Sequence, residues 1–330
     1  MVTHGYKRRR RCEMSKKVLV TPRSFGKTSR VPFEMLEKLG YEVLVNKTGK
    51  QLSEDELAEA VKDIDGLIVG LDPVTEKVLS AGKNLKVVSK YGVGTDNIDK
   101  ASARELGIAV TYTPGANNES VADFAFSLML GAARSVGKLD AVVRSGRWEK
   151  IIGTEVYGKT IGIIGTGAIG KGMAKRATGF DMNVLAFDIY PDQAFADKIG
   201  MKYVDKETLL KEADFISLHV PLTKEMHHFI GREEFALMKK TAFIINTSRG
   251  GIVNESELYD ALKDKVIAGA ALDVFEVEPP VGNRLLELDN ILLAPHCGAS
   301  TTDATDRMGV MAVEGLASIL EGQEPKYLAR

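Results

Sequence analysis

The chain has 330 residues, is 44% hydrophobic and 27% charged, and carries a formal net charge of −1 at pH 7. This composition is ordinary for a soluble globular protein, and the length provides material for about two domains. The balanced charge argues against a nucleic-acid partner, and the most apolar stretch, FAFSLMLGAA at 124–133, is too short to cross a membrane. The two cysteines, Cys12 and Cys297, cannot form a disulfide framework or a four-ligand zinc site. We therefore expect no metal and a reducing, cytoplasmic location.

The first 16 residues are basic and contain no apolar core, so they are not a secretory signal. We expect residues 1–16 to form a disordered leader outside the fold. The alternative is that its KRRRR segment binds an anionic surface.

Short apolar runs alternate with amphipathic stretches from Val18 onward. In chain order the runs are VLV, YEVLV, GLIVG, LKVVSKYG and IAVTY, with helices predicted near 31–39, after Ser53, at 75–81 and before IAVTY. Ser53 and Glu56 have the spacing of a capping box. Alternation of this kind predicts βαβ units and a parallel sheet.

The segment 113–135 breaks this rhythm, because a Pro-Gly turn is followed by a long stretch that is apolar on nearly every face. Such a helix is normally buried, and we expect its partner to be another domain or subunit. A second alternation runs from Thr160 to about 296, and a last helix is predicted near 303–321, where the chain returns to the first lobe.

The fold prediction is therefore α/β, with two doubly wound parallel-sheet domains and a ligand cleft between them. Residues 17–112 and 291–330 are assigned to one domain, and residues 113–290 to the other.

A nucleotide site is predicted in IGIIGTGAIGKGMAKRA, where Gly165, Gly167 and Gly170 directly follow a buried-strand pattern and begin a helix. The glycines suit a tight turn, approach to a pyrophosphate, and close packing of the helix on the strand. Asp188 follows Gly170 by 18 residues, at the end of the next strand, where it can accept from ribose hydroxyls and repel a 2′-phosphate. NAD is therefore the predicted cofactor. The alternative is a glycine turn and a helix-capping Asp with no ligand.

Three further strand ends carry polar chemistry. Arg249 precedes the two glycines that end AFIINTSRGG, Asp273, Glu276 and Glu278 lie in AALDVFEVEPP, and His296 ends ILLAPH. Hydride transfer to a 2-keto acid needs a proton donor, a carboxylate to orient it, and a cation for the substrate carboxylate. Taken singly, these residues are equally compatible with a solvated arginine, a turn and a structural histidine.

In their order and spacing, GTGAIG…D, HVPLT, NTSRGG, LDVFEVEP and APHCGAST resemble the D-isomer-specific 2-hydroxyacid dehydrogenases, closest to the phosphoglycerate dehydrogenase-like branch. The resemblance runs from about Val18 to about Leu320. It implies a Rossmann coenzyme domain inserted into a flavodoxin-like substrate domain, and a homodimer built through the coenzyme domain. That dimer would give the helix at 119–134 and the segment RSGRWEK a partner surface.

The resemblance also implies residue roles. His296 resembles the acid/base, Glu278 its partner, and Arg249 the substrate-binding arginine. Positions resembling cofactor contacts are Gly165, Gly167, Ala168, Ile169, Gly170, Asp188, Val220, Pro221, Thr247, Ser248, Arg249, Asp273, His296 and Gly298. Positions resembling substrate contacts are Lys90, Val93, Gly94, Asn117 and Arg249. We interpret His227 and His228 as surface residues, His219 as a sheet residue near the cofactor, and Cys297 as a small buried residue.

D-3-phosphoglycerate is the first choice of substrate from the sequence, although the loops expected to carry arginines for a phosphate hold Asp72 and Lys90 instead. Glyoxylate or hydroxypyruvate reduction comes next. Oxidation of phosphite and a non-catalytic NAD-sensing corepressor are the remaining alternatives.

Overall fold

The computed structural model describes residues 15–329. The chain divides into a split unit, formed by residues 15–116 and 305–329, and a continuous unit, formed by residues 117–304. Of the predicted leader, all but Ser15 and Lys16 lie outside the described residues. Lys16 is held in the fold, because its ammonium donates to the backbone of Leu320 and to Glu321.

The split unit contains a five-stranded parallel sheet in the order β2-β1-β3-β4-β5. Its elements are β1 Lys17–Val20, α1 Val31–Lys38, β2 Glu42–Val45, α2 Glu54–Ala60, β3 Gly66–Val69, α3 Glu76–Ala81, β4 Val87–Lys90, α4 Lys100–Glu105 and β5 Ala109–Thr111. The central strands are short β-branched runs buried on both faces, as a covered parallel sheet requires. The capping box predicted at Ser53 and Glu56 is confirmed, since both of its hydrogen bonds form.

The continuous unit contains a seven-stranded parallel sheet in the order β12-β11-β10-β9-β6-β7-β8. Its elements are α5 Asn118–Ala133, α6 Val136–Arg144, β6 Thr160–Ile164, α7 Ala168–Thr178, β7 Asn183–Phe187, α8 Gln193–Ile199, β8 Lys202–Tyr203, α9 Lys206–Glu212, β9 Phe215–Leu218, α10 Arg232–Leu237, β10 Phe243–Asn246, α11 Glu255–Lys263, β11 Gly269–Leu272, a 3₁₀ turn Arg284–Glu287 and β12 Ile291–Leu293. The order reverses between β6 and β9, and ligands bind at such a switch point, outside the carboxyl ends of the strands. The predicted fold class is confirmed.

The long apolar helix α5 packs inside its own unit. It contributes Ala125, Phe126 and Met129 to a buried cluster with β6, α7, β10 and β11. A Cβ at Gly172 of α7 would lie 2.9 Å from the Cβ of Ala122, so these two helices approach closely. The sheet of the continuous unit and α7 therefore bury most of this helix without another domain, and its contact with a second subunit stays a prediction.

The last helix, α12 Thr302–Leu320, starts at the end of the continuous unit and covers the sheet of the split unit. A Cβ at Gly66 of β3 would lie 2.9 Å from Leu316 of α12, and Ser89 of β4 donates to the carbonyl of Ala312 at 2.8 Å. The chain passes from one unit to the other at 116/117 and at 304/305, rather than after residues 112 and 290 as predicted. The reason for the second difference is that β12 hydrogen-bonds to β11 and thus belongs to the continuous unit. No helix among residues 15–329 combines the length and apolarity needed to cross a bilayer.

Candidate active site

The turn after β6 has the geometry of a phosphate-binding loop. Gly165 lies at a φ of +92°, where a side chain would be strained. An added Cβ at Gly170 would lie 2.0 Å from the carbonyl oxygen of Gly165, so only glycine lets α7 start this close to the turn. A Cβ at Gly167 would meet no heavy atom within 4 Å. The open position is the one at which a pyrophosphate can approach the backbone.

The start of α7 is suited to an anion. No side chain caps the helix, and its first turn contains no acidic residue. The N–H groups of Ala168 and Ile169 therefore present the positive end of the helix dipole beside the open glycine.

Asp188 lies directly after β7 and next to this turn. Its carboxylate accepts from the N–H of Thr166 at 2.6 Å, the hydroxyl of Thr166 at 2.9 Å, and the N–H of Tyr190 at 2.8 Å. Burial works to raise the pKa of Asp188, but these hydrogen bonds outweigh it and hold that pKa below its usual range. Tyr203 supports the group, since its hydroxyl lies 2.8 Å from that of Thr166. A charged carboxylate is thus fixed at the end of the second strand.

The residues after β9 lie against the glycine turn. A Cβ at Gly165 would lie 2.7 Å from Cγ1 of Val220, which precedes the exposed Pro221. His219 is part-buried, and its Nε2 lies 2.9 Å from the hydroxyl of Ser217. Burial lowers the pKa of His219 to about 4, so the ring is neutral near pH 7. A neutral ring with this partner agrees with the interpretation of His219 as a sheet residue.

The segment after β10 contains a buried hydroxyl with no partner. Thr247 is 8% exposed, and its Oγ1 has no hydrogen-bond partner among the described residues. Ser248, in contrast, donates both its N–H and its hydroxyl to Oδ1 of Asn246, at 3.0 and 2.8 Å. Since buried polar atoms are normally hydrogen-bonded, the Thr247 hydroxyl indicates a position for a polar ligand atom.

Asp273, after β11, anchors the backbone around His296. Its two carboxylate oxygens accept from the N–H groups of Cys297 and Gly298, each at 2.8 Å, and its carbonyl accepts from the N–H of His296 at 2.8 Å. Burial raises the pKa of Asp273, while these two backbone donors oppose the rise. The contacts hold His296 at a φ of +51°, a conformation that few residues other than glycine adopt.

His296 and Glu278 form a hydrogen-bonded pair. Nδ1 of His296 lies 2.7 Å from Oε2 of Glu278, while Oε1 of Glu278 accepts from the N–H of Phe275 at 3.1 Å. Both side chains are about three-tenths exposed. Because Nδ1 faces the carboxylate, Nε2 is the nitrogen that can exchange a proton with a ligand.

Arg249 lies on the loop that follows β10. Its Nη1 donates to the carbonyl of Ser248 at 2.6 Å, and its own carbonyl accepts from Asn246 at 2.8 Å. The next residue, Gly250, lies so close to Phe275 that an added Cβ would be 1.9 Å from the Phe275 carbonyl oxygen. The Arg249 loop and the Glu278 loop are therefore in direct contact.

The residues predicted to bind the substrate have three different local environments. Lys90 is buried in the split unit, where its ammonium donates to the carbonyl of Gly70 at 2.6 Å and to Oδ1 of Asn97 at 2.7 Å. Val93 and Gly94 follow Gly92, whose φ is +144°, and within the described part of the chain neither of their N–H groups donates a hydrogen bond. Asn117 begins the continuous unit, and its buried Oδ1 has no partner among residues 15–329.

His227, His228 and Cys297 are not proposed to take part in catalysis. His227 and His228 are exposed, as expected. Cys297 is part-buried rather than buried, and burial together with the charge of Asp273 raises the pKa of its thiol to about 11, which keeps it protonated. Among residues 15–329, no group of three or more His, Cys, Asp or Glu side chains could hold a metal ion.

The NAD binding domain of D-isomer specific 2-hydroxyacid dehydrogenases matches residues 126–298, just over half of the chain. The chain belongs to this family. It is 44% identical over 317 residues to a glyoxylate reductase of Korarchaeum cryptofilum, covering 93% of this chain and 95% of that protein. It is 46% identical over 294 residues to a D-3-phosphoglycerate dehydrogenase of Methanocaldococcus jannaschii, covering 88% of this chain but 55% of that protein. A crystal structure of a Thermus thermophilus protein superposes with a TM-score of 0.87 at 38% identity, covering 95% of this chain and all of that one.

This D-2-hydroxyacid dehydrogenase is thus an NAD-dependent oxidoreductase, and its residues fit the cofactor. The open Gly167, the uncapped start of α7, the charged Asp188 and the unpartnered Thr247 hydroxyl lie along the carboxyl ends of strands in one sheet. They follow β6, β7 and β10, in the order expected for a bound dinucleotide.

Sequence reasoning missed several residues around the site. It did not anticipate that Asp273 holds the His296 backbone, that Tyr203 supports Thr166, or that Glu255 contacts the Glu278 loop. No motif signal marks these contacts, because each joins residues 21 to 37 positions apart on separate segments of the chain.

Proposed function

We propose that this dehydrogenase reduces a small, unphosphorylated 2-keto acid, such as glyoxylate or hydroxypyruvate, to the D-2-hydroxy acid. The observation that carries the proposal is the pair of His296 and Glu278 at 2.7 Å, on a loop in contact with the Arg249 loop. A protonated imidazole, an oriented carboxylate and a guanidinium are the groups that reduction of a 2-keto acid requires.

In this proposal His296 is the proton donor. NADH, when bound, would supply the hydride for the carbonyl carbon, and Nε2 of His296 gives its proton to the carbonyl oxygen. Glu278 accepts from Nδ1, which fixes the tautomer and stabilises the imidazolium before the transfer. Asp273 keeps the ring in place by holding the backbone of the histidine and of the residue after it.

Each unit carries a candidate group for binding a carboxylate, and each group is proposed on its own evidence. Arg249 supplies a planar guanidinium that binds a carboxylate through two parallel hydrogen bonds. In the split unit, the N–H groups of Val93 and Gly94 are donors without a protein acceptor among the described residues, which supports their role as a backbone anion site. Asn117, with an unpartnered Oδ1, is proposed to accept from a substrate group.

The cofactor contacts are proposed as follows. Gly165, Gly167, Ala168, Ile169 and Gly170 bind the pyrophosphate, Asp188 the adenosine ribose, and Val220 and Pro221 the adenine side. Thr247, Ser248, Asp273 and Gly298 lie along the nicotinamide half. The Thr247 hydroxyl is the best supported of these because it is buried without a partner.

Three side chains of the split unit favour an unphosphorylated substrate over D-3-phosphoglycerate, which reverses the order drawn from the sequence. Asp72 is 3% exposed and accepts from the hydroxyl of Thr21 and the N–H of Leu52. Lys90 is bonded within the unit, and Arg23 is exposed and donates to the carbonyl of Gly49. These contacts do not gather cations for a phosphate, which supports a smaller substrate.

D-3-phosphoglycerate remains the second candidate, because a relative of that name is 46% identical over 294 residues. The test is NADH consumption with glyoxylate, hydroxypyruvate, pyruvate and 3-phosphohydroxypyruvate. We expect the highest kcat/KM with glyoxylate or hydroxypyruvate. A higher value with 3-phosphohydroxypyruvate would reverse the order, and tight NADH binding without any turnover would favour a NAD sensor.

A homodimer through the continuous unit is also proposed. Trp148 is 87% exposed and Ile152 97% exposed, on the segment that follows α6, and Val143 of α6 is 56% exposed. Exposed apolar side chains this close in sequence are typical of an interaction surface. Light scattering at several concentrations tests the proposal, and a monomer for the native chain would contradict it. The cytoplasmic location stays a prediction.

A further inference from the structure

A second cluster of polar side chains lies behind the catalytic pair and joins α11 to the loop of residues 275–283. The N–H of Glu276 donates to Oε1 of Glu255 at 2.5 Å, and the N–H of Glu255 donates to Oε1 of Glu276 at 3.1 Å. The side-chain amide of Asn283 donates to Oε2 of Glu255 at 2.5 Å. Both ends of the loop that carries Glu278 are therefore attached to one carboxylate.

His228 extends the cluster to the loop that carries Arg249. Its ring atom Nε2 lies 3.1 Å from Oε1 of Glu276, and its backbone N–H donates to the carbonyl of Gly251 at 2.6 Å. Its backbone has a φ of +54°, which is uncommon for a residue other than glycine. The cluster thus contacts the two loops that supply Arg249 and Glu278.

Capping of α11 does not account for Glu255. The helix is already capped by Asn254, whose Oδ1 accepts from the N–H of Glu257 at 3.1 Å. Glu255 instead directs its carboxylate away from its own helix, into a half-buried position. Burial and the nearby charges of Glu276 and Glu278 raise the pKa of Glu255. A carboxylate placed beside two others costs folding free energy, so the hydrogen bonds that it makes to the loop must offset that cost.

We propose that Glu255, with Asn283, Glu276 and His228, forms a positioning clamp that fixes the Glu278 and Arg249 loops in the geometry needed for catalysis. Glu255 acts only through Glu278 and Arg249, so it is a positioning residue. The inference rests on the proposed roles of these two residues. The expected consequence of losing the clamp is a misplacement of the proposed catalytic pair, with the pyrophosphate and adenosine part of the cofactor site left intact, because the glycine turn and Asp188 follow other strands, β6 and β7.

The test compares Glu255→Ala with Glu257→Ala. Glu257 lies on the same helix and also accepts a backbone N–H, that of Arg232 at 2.7 Å, so it is a matched control outside the clamp. We expect Glu255→Ala to lower kcat about 10- to 100-fold, the range for a small misplacement of reacting groups, and to change the Kd for NADH much less, because the pyrophosphate and adenosine contacts are unaffected. Glu257→Ala should keep kcat within about twofold of the wild type. Equal kcat values for the two variants would overturn the proposal.

A second measurement does not depend on turnover. Hydrogen–deuterium exchange of peptides covering 248–252 and 275–283 should accelerate in Glu255→Ala but not in Glu257→Ala, while peptides covering 160–188 stay protected. Should Glu255→Ala fail to fold, Asn283→Ala removes one arm of the clamp and should give the same pattern with a smaller loss of kcat. Unchanged exchange of both loops in Glu255→Ala would refute the clamp, even if the wild-type protein reduces no 2-keto acid. If the wild-type protein is inactive but the two loops exchange faster in Glu255→Ala, only the proposed function is refuted.

Discussion

Two histidine–glutamate pairs share the loop of residues 275–283. His296 pairs with Glu278 at 2.7 Å and His228 with Glu276 at 3.1 Å, and both histidines have a positive φ. The side chains of the first pair are about three-tenths exposed, and both side chains of the second are 36% exposed. Neither exposure nor the partner therefore separates a proposed catalytic pair from a structural one.

The backbone around each histidine is what differs. His296 follows a strand end, and the buried Asp273 fixes it by accepting from three consecutive N–H groups. His228 lies on a surface turn and itself donates to the Arg249 loop. The comparison teaches that the two histidines differ in how firmly their backbone is held, and it is this difference that supports a catalytic role for His296 and a positioning role for His228.

The largest expected effect is that of His296→Ala. Loss of the proton donor should lower kcat for glyoxylate reduction by about 10²–10⁴, the usual range for a general acid. The Kd for NADH should stay within about threefold, which fluorescence titration measures. A kcat loss no larger than that of His228→Ala would remove the distinction between the two pairs.

Glu278→Gln should produce the next largest effect. The amide keeps a hydrogen-bond acceptor but loses the charge that stabilises the protonated imidazole. Reduction requires the protonated ring, so the pH above which kcat/KM falls should move down by about one to two pH units. The pH profile of kcat/KM measures this shift. Glu276→Gln is the control, and an equal shift in both variants would argue against a special role for the first pair.

His228→Ala should have a smaller effect. It removes the contact with Glu276 but leaves the backbone donation to Gly251 possible, so we expect kcat to fall about two- to fivefold with no change in the pH profile. Steady-state kinetics from about pH 5 to 9, the range in which histidines titrate, measures both quantities. A shifted pH profile would mean that His228 takes part in the proton transfer.

His219, which has a serine rather than a carboxylate as its partner, is expected to affect stability alone. Its pKa is about 4 in the folded protein, against 6.5 for an ordinary histidine. Below pH 6.5 the unfolded chain gains a proton that the folded protein does not, so the unfolding free energy should fall by up to about 3 kcal/mol between pH 6.5 and 4. His219→Gln should reduce that slope in urea titrations. An unchanged slope would show that the ring is protonated normally.

Much of the fold follows from the sequence because parallel strands leave a local signature. The apolar runs VLV, IGIIG and FIIN coincide with β1, β6 and β10, and the Ser53 capping box forms as predicted. The partner of α5 and the position of β12 could not be predicted in the same way. Both depend on which buried surfaces meet in three dimensions, and an apolar pattern only says that a surface is covered.

The candidate site likewise contains features that the sequence predicts and features that it does not. The strand-end positions of Arg249, Asp273, Glu278 and His296 follow from the motifs, and the pairing of Glu278 with His296 agrees with the structure. The anchoring role of Asp273 and the Glu255 clamp could not be predicted from the motifs, because each joins groups that are distant in the sequence and show no periodic pattern. Lys90 and Asp72 show the same limit, because Lys90 was predicted to contact the substrate and Asp72 to disfavour a phosphate, whereas both make hydrogen bonds within the split unit.

The order in which the two units are completed has a consequence for synthesis. A nascent chain that has reached Ala304 contains every residue of the continuous unit, whereas the sheet of the split unit still lacks α12 and the last segment, in which Ala329 donates to Val110. Domains generally fold as units during synthesis. The continuous unit thus has its complete sequence before the split unit, whose sheet still waits for α12 to cover it. A chain truncated before α12 should therefore still contain the whole nucleotide-binding unit, but the sheet of its split unit would be left without the helix that covers it.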